Sequence, residues 1–342
     1  MQLNTRKPNF ENILKVLRRE QPSRPTLFEL FMNTPLYEKL AGHPLAKEND
    51  GYYGNDYMQL VVEAYKAAGY DYATCYACNF RFKPYNEMTG ATISLNDDIV
   101  FKDRASYAEY QWPELADSDF SRLERIKAYL PEGMKLMVMG PGGVLENAIS
   151  LVGYENLCYM LFEDPELAQI VFDNIGSRLV QYYEKALTYE TVGFIMSNDD
   201  WGFNTQTFFS PKLMRKYVFP WHKKIVAAAH KQGKPAVLHS CGNLSKVMED
   251  IIEDMQYDGK HSYEDNIMPV EEFYQIWGDR IAILGGLDLN FLVKATPEEI
   301  KARSKKLLAL TQKGGYALGS GNSIPEYIPS ENYLAMLEAI EE

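Results

Sequence analysis

Short apolar runs alternate along the chain with longer stretches in which apolar residues recur every three or four positions. That alternation predicts buried strands separated by amphipathic helices. The apolar runs fall at residues 25–31 (PTLFELF), 70–74, 135–139, 193–196, 235–239, 281–284 and 315–318, with a weaker one at 256–260. Helical spacing marks residues 9–20, where Phe10, Ile13, Leu14 and Leu17 share a face, and 56–68, which Gly69 closes. It returns at 118–130, 145–162, 165–190, 244–255, 270–277, 296–313 and 330–340. A longer helix from 211 to Gly233 is expected to bend at Pro220. Asp164-Pro165-Glu166 and Thr296-Pro297-Glu298-Glu299 place a capping residue before a proline at the first helical position. Residues 36–54 read as irregular, and 80–112 as an excursion of short strands and turns.

Eight strands separated mostly by helices predict an α/β fold, a (β/α)8 TIM barrel over residues 1–342 as one domain. The helix at 9–20 and the β-rich insertion near 80–112 are additions to it. A doubly wound sheet would need fewer strands, a topological switch point and, for a dinucleotide, a glycine-rich fingerprint that is missing after the first strand. The polar clusters decide for the barrel. Glu29, Cys75, Asn198 to Asp200, His239, Cys241, His261, Glu264, Asp288 and Ser320 to Asn322 all lie in or just past the C-terminal ends of strands. A barrel brings those ends together at one mouth.

Composition narrows the class of protein. A hydrophobic content of 46% with 24% charged residues suits a soluble globular chain with a large core. The net charge of −12 argues against general binding to nucleic acid or anionic membranes. No apolar run reaches membrane-spanning length and the first residues lack a signal-peptide core, so a cytoplasmic protein is expected. Four cysteines, at 75, 78, 158 and 241, are too few and too irregular for a disulfide framework.

Chemistry concentrates at PAVLHSCGN, residues 235–243. An imidazole and a thiol, one residue apart at a strand end, form a ligand pair that zinc prefers. The alternative is a histidine bonded to backbone beside a buried cysteine. His261 and Glu264 follow the next strand, and an open zinc site wants three protein ligands. Metal candidates are therefore His239, Cys241, Glu264 and His261. Asp199 and Asp200 are candidate catalytic carboxylates, for proton transfer or for orienting a ligand, although one of them could simply cap a turn. Glu29, inside a buried strand, must be paired, metal-bound or protonated, and is a third catalytic candidate. Asn198, Trp201, Asp288 and Asn322 are placed to bind substrate. Cys75 and Cys78 form a weaker pair, and the GPGG of 140–143 suits either ligand approach or a tight turn.

Taken together, SNDDWG at 197–202, SPKLMRKYVFP at 210–220, VLHSCGN at 237–243, GGLDLNFL at 285–292, TPEEI at 296–300 and GYALGSGNSIPEYIPSEN at 315–332 resemble the uroporphyrinogen decarboxylase superfamily. The likeness is to its methyltransferase-like branch, which is related to the cobalamin-independent methionine synthases. It covers the chain from about residue 190 onward, and earlier residues match in pattern only. The resemblance implies His239 and Cys241 as zinc ligands, with Glu264 nearest to the carboxylate ligand of the synthases. Relatives of the coenzyme M type carry a cysteine in the final loop, where this chain has Ser320 and Asn322. Decarboxylases proper carry an arginine-rich segment after the first strand, where residues 29–34 here read ELFMNT.

These readings predict a metal-dependent methyltransferase, with zinc as cofactor. It would move a methyl group between a small substrate and a thiol, or a corrinoid carried by a partner protein, and could form a homodimer. A decarboxylase of the uroporphyrinogen type and a non-catalytic corrinoid or small-molecule binding barrel are the alternatives.

Overall fold

A computed structural model describes residues 6–46, 54–83 and 95–340. Among these residues seven parallel strands form one curled sheet: β1 (Tyr72–Tyr76), β2 (Lys135–Met139), β3 (Val192–Asn198), β4 (Ala236–His239), β5 (Gly259–His261), β6 (Ala282–Leu284) and β7 (Tyr316–Ala317). Each pairs with the next in chain order, and helices form most of the connections. Side chains of the strands are almost all buried, as a parallel sheet covered by helices requires. No helix among the described residues is long and apolar enough to cross a membrane.

The predicted first strand takes the eighth place but is not a strand. Leu27 forms an isolated parallel bridge to Leu318 just past β7, with Phe28 N–H donating to Leu318 O and Leu318 N–H to Thr26 O, both at 2.8 Å. Towards β1, side chains do the work of a ladder. The Tyr72 hydroxyl accepts Glu29 N–H at 2.7 Å and donates to Glu29 O at 2.7 Å. Tyr65 adds a hydroxyl 3.3 Å from Glu29 O and 3.2 Å from Leu30 O. Tyrosines thus satisfy the buried backbone that a neighbouring strand would otherwise pair.

Three further expectations are corrected. The described residues of 80–112 hold no strand, and Arg104–Glu109 is a short helix capped by Asp103. Aromatic rings there pack on one another, with Phe101 5.4 Å from Tyr107 and Tyr110 4.9 Å from Trp112. Arg178 of helix Pro165–Leu187 lies 5.2 Å over the Trp112 ring. Residues 84–94 of that stretch lie outside the described residues. The region read as irregular opens with helix Thr34–Ala41, capped by Asn33. The helix expected over 244–255 is a 3-10 turn, Ser245–Val247, and a wide π turn, Asp250–Asp254. The additional helix near the start is present as Glu11–Leu17, and the long helix breaks at Val218, two residues before Pro220.

Candidate metal centre

Register builds the site. Asn198 pairs with His239 across β3 and β4, and His239 with His261 across β4 and β5. Neighbours in a parallel ladder face the same way, so the three side chains share one face of the sheet. Just beyond the strand ends, Asp200 Oδ1 accepts the Cys241 N–H at 2.8 Å, which ties the β3 loop to the β4 loop. His239 Nε2 lies 3.8 Å from Asp200 Oδ1 and 3.9 Å from Cys241 Sγ. Ligand atoms of Asp200, His239 and Cys241 all lie within 4.8 Å of one another. The turn that follows needs a glycine: Gly242 has φ +93°, and a Cβ there would sit 2.3 Å from Gly202 O.

Two polar side chains flank the sulfur. Asn322 Nδ2 donates to Cys241 Sγ at 3.3 Å, and Ser262 Oγ lies 3.5 Å from it. The His239 imidazole also meets His261, Nδ1 to Nδ1 at 2.8 Å, and His261 Nε2–H donates to Ser320 O at 3.1 Å. Burial pushes His239 down to about 3, and burial with His239 alongside pushes His261 well below the usual imidazole range. Burial, reinforced by the charge of Asp200, raises the Cys241 thiol well above its ordinary value. A nitrogen lone pair, a sulfur and a carboxylate oxygen thus converge at close quarters. This N, S, O donor set fits a borderline-soft ion such as zinc, with one position left for substrate.

The other predicted residues separate into near and far. Glu264 stays outside this group, so the carboxylate that joins His239 and Cys241 is Asp200 rather than Glu264. Instead Glu264 lines a small neighbouring cavity of about 30 Å³ with Gly242, Lys260 and Phe273, its carboxyl raised by burial and by Asp288. His261 stands behind His239. Asp199 is fully buried and committed elsewhere: it accepts Leu145 N–H at 3.0 Å, Glu146 N–H at 2.9 Å and a bond with His222 Nε2 at 2.8 Å. It therefore anchors the start of helix Val144–Val152, and a glycine is needed at 143 because a Cβ there would strike its side chain. Trp201 is fully buried edge-on to His222 at 4.9 Å, and its indole N–H has no hydrogen-bond partner among the described residues. Asp288 caps helix Leu289–Lys294 and accepts Asp265 N–H at 3.0 Å. Asn198 leaves a buried Oδ1 without a hydrogen-bond partner among the described residues. Cys75 and Cys78 are buried, and burial raises both thiols, to about 12 and about 11.

Glu29 lies below the mouth, fully buried, where burial pushes its carboxyl up to about 8. Ser320 Oγ lies 2.7 Å from Glu29 Oε1 and is also in hydrogen-bond contact with Asn322 O. The serine hydroxyl donates to Oε1, which also accepts Leu30 N–H at 3.1 Å. Of the options open for Glu29, these contacts show pairing with hydrogen-bond donors, while burial favours the protonated form.

Sequence reasoning missed two ionisable groups, the half-buried Glu146 and the buried Lys260. Glu146 accepts Gly143 N–H at 2.8 Å, and burial with Asp200 and Asp199 nearby raises it to about 8. Lys260 donates to Ser262 O at 2.7 Å with its ammonium 4.6 Å over Tyr263, and burial lowers it to about 8. A lysine inside a buried strand directly before His261 was the available signal for the second. Glu146 looked like an ordinary residue of a helix first turn.

The chain was compared with known proteins. The profile of the family described as "Uroporphyrinogen decarboxylase (URO-D)" matches residues 120–342. No curated protein sequence matches significantly. Among solved structures, a methyltransferase from Methanosarcina mazei superposes with a TM-score of 0.71 at 16% identity, covering 98% of this chain and 99% of that one. A protein from Listeria monocytogenes assigned as a vitamin-B12-independent methionine synthase gives a TM-score of 0.51 at 12% identity, covering 99% of this chain and 98% of that one. The fold likeness thus extends over the N-terminal half, where sequence motifs were silent.

Proposed function

The chain belongs to the uroporphyrinogen decarboxylase family, and within it we propose that this protein is a metal-dependent methyltransferase acting on a small substrate. The observation that carries the reading is the convergence of His239, Cys241 and Asp200 at the C-terminal mouth of the sheet. The fold likeness to a methyltransferase supports it. His239 Nε2, Cys241 Sγ and an Asp200 oxygen would hold the ion. Bound zinc supplies Lewis acidity, which activates a coordinated thiol or polarises the heteroatom that a methyl group leaves.

The chain's own residues prepare that chemistry. Asp200 fixes the Cys241 backbone through its N–H, so ligand and loop are positioned together. Asn322 and Ser262 place hydrogen-bonding groups beside the sulfur, which offsets negative charge on a thiolate. Lys260 adds a buried positive charge whose field opposes those of Cys241, Asp200 and Glu264. Oxygen from Asp200, in place of further sulfur, would favour a harder and more Lewis-acidic centre, suited to a methyl ether or methylamine. The methyl acceptor would then be a corrinoid on a partner protein or a thiol.

The test is elemental analysis of protein purified without added metal. About one zinc per chain is expected, with metal lost and circular dichroism unchanged in Cys241→Ser. Unchanged metal content in that variant would sink the site.

A further inference from the structure

Beyond the ligands themselves, and resting on the metal-centre reading for its purpose, we propose that His261 is a positioning residue that locks His239 in one tautomer. His261 is fully buried, 5.2 Å from the Phe28 ring, and its two nitrogens face a carbonyl oxygen and another imidazole. Ser320 O can only accept, so His261 carries its proton on Nε2. A neutral ring has one N–H, which leaves His261 Nδ1 as an acceptor. At 2.8 Å the proton between the rings must then come from His239 Nδ1. His239 consequently keeps Nε2 bare, and Nε2 is the nitrogen that faces Asp200 and Cys241. Which nitrogen of a histidine can ligate is set by the bond its other nitrogen makes.

The footing of this relay is the Ser320 peptide. Its N–H points at Glu29 Oε2 at 3.4 Å and its hydroxyl meets Glu29 Oε1, so the buried carboxyl holds the peptide whose carbonyl orients His261. Glu29 therefore acts on His239 at a distance, through Ser320 and His261.

Histidine-selective 15N spectra of the metal-free full chain read the tautomers directly, since protonated and bare ring nitrogens have well separated shifts. The chain has five histidines, and His239→Asn and His261→Asn assign the two signals by loss. The wild type should show Nδ1–H on His239 and Nε2–H on His261. In His261→Leu, with no acceptor for Nδ1–H, His239 should change tautomer and zinc affinity, measured by chelator competition, should fall about tenfold or more. His261→Asn, whose Oδ1 stands close to the old Nδ1 position, should retain the His239 tautomer and most of the affinity. Reversed tautomers in the wild type would overturn the proposal, whether or not the leucine variant folds. So would a folded leucine variant with an unchanged His239 signal and unchanged affinity. A wild-type chain with the expected tautomers that binds no zinc would overturn the metal-centre reading and leave this one standing.

Discussion

Asp200 holds Cys241 through its backbone: the carboxylate Oδ1 accepts the cysteine N–H at 2.8 Å while lying 3.8 Å from His239 Nε2. One oxygen thus shapes the loop and stands among the candidate ligand atoms. Asp200→Asn should lower zinc affinity about tenfold or more, a loss on the scale that even supporting residues of metal sites produce. Glu264→Gln and Asn322→Ala should each cost less, because Glu264 lies outside the group and Asn322 only donates to the sulfur. Chelator competition on the three variants checks the order. A larger loss in Glu264→Gln would move the third ligand to the β5 loop.

Asp199, its neighbour, should behave as a structural residue. Its carboxylate binds two helix N–H groups and His222 in full burial. Removing one partner of a buried charged network costs about 3–5 kcal/mol. Asp199→Ala should therefore lose that much stability in denaturant titration, while whatever folded protein remains keeps its metal. Metal loss in a variant of unchanged stability would place Asp199 in the site after all.

Glu29 offers a pH signature. Its folded-state carboxyl is raised to about 8 by burial, whereas unfolding returns it to its ordinary value of 4.5. The folded state then binds the extra proton between those values. Its stability is fully present below the unfolded value and lost as pH rises towards 8, at up to about 1.4 kcal/mol per pH unit. Glu29→Gln mimics the neutral acid and removes this dependence, so its stability relative to wild type should improve from pH 5 to pH 8. Parallel unfolding curves at both pH values would show that Glu29 is ionised instead.

The family name should mislead about substrate. Residues 29–34, ELFMNT, provide no arginine where decarboxylases of the family hold the many carboxylates of a porphyrinogen. Guanidinium groups bind carboxylates through paired charged hydrogen bonds that an uncharged segment cannot supply. An anaerobic assay with uroporphyrinogen should show no coproporphyrinogen above background. Turnover at about 1 s⁻¹ or faster, within the ordinary range for enzymes, would reverse this conclusion.

The sequence by itself determined the alternation of buried strands with helices and the chemistry of one strand end. Apolar runs and helical spacing located β2, β3, β4 and β6 to within a few residues, because strands buried on both faces leave an unbroken apolar signature. His239 and Cys241 were legible because a polar pair that ends an apolar run stands out against it. Tertiary structure decided which groups meet them. Asp200 and Glu264 follow neighbouring strands and are equal as residue types. The choice between them rests on loop paths and on the Cys241 N–H, neither of which has a sequence period. Residues 25–31 looked like a strand from their side chains, yet on one edge their backbone partners are the hydroxyls of Tyr65 and Tyr72. His261 gave no hint from its position of which groups its two nitrogens would meet. That depends on a carbonyl 59 residues away, Ser320 O, which the fold alone brings within 3.1 Å.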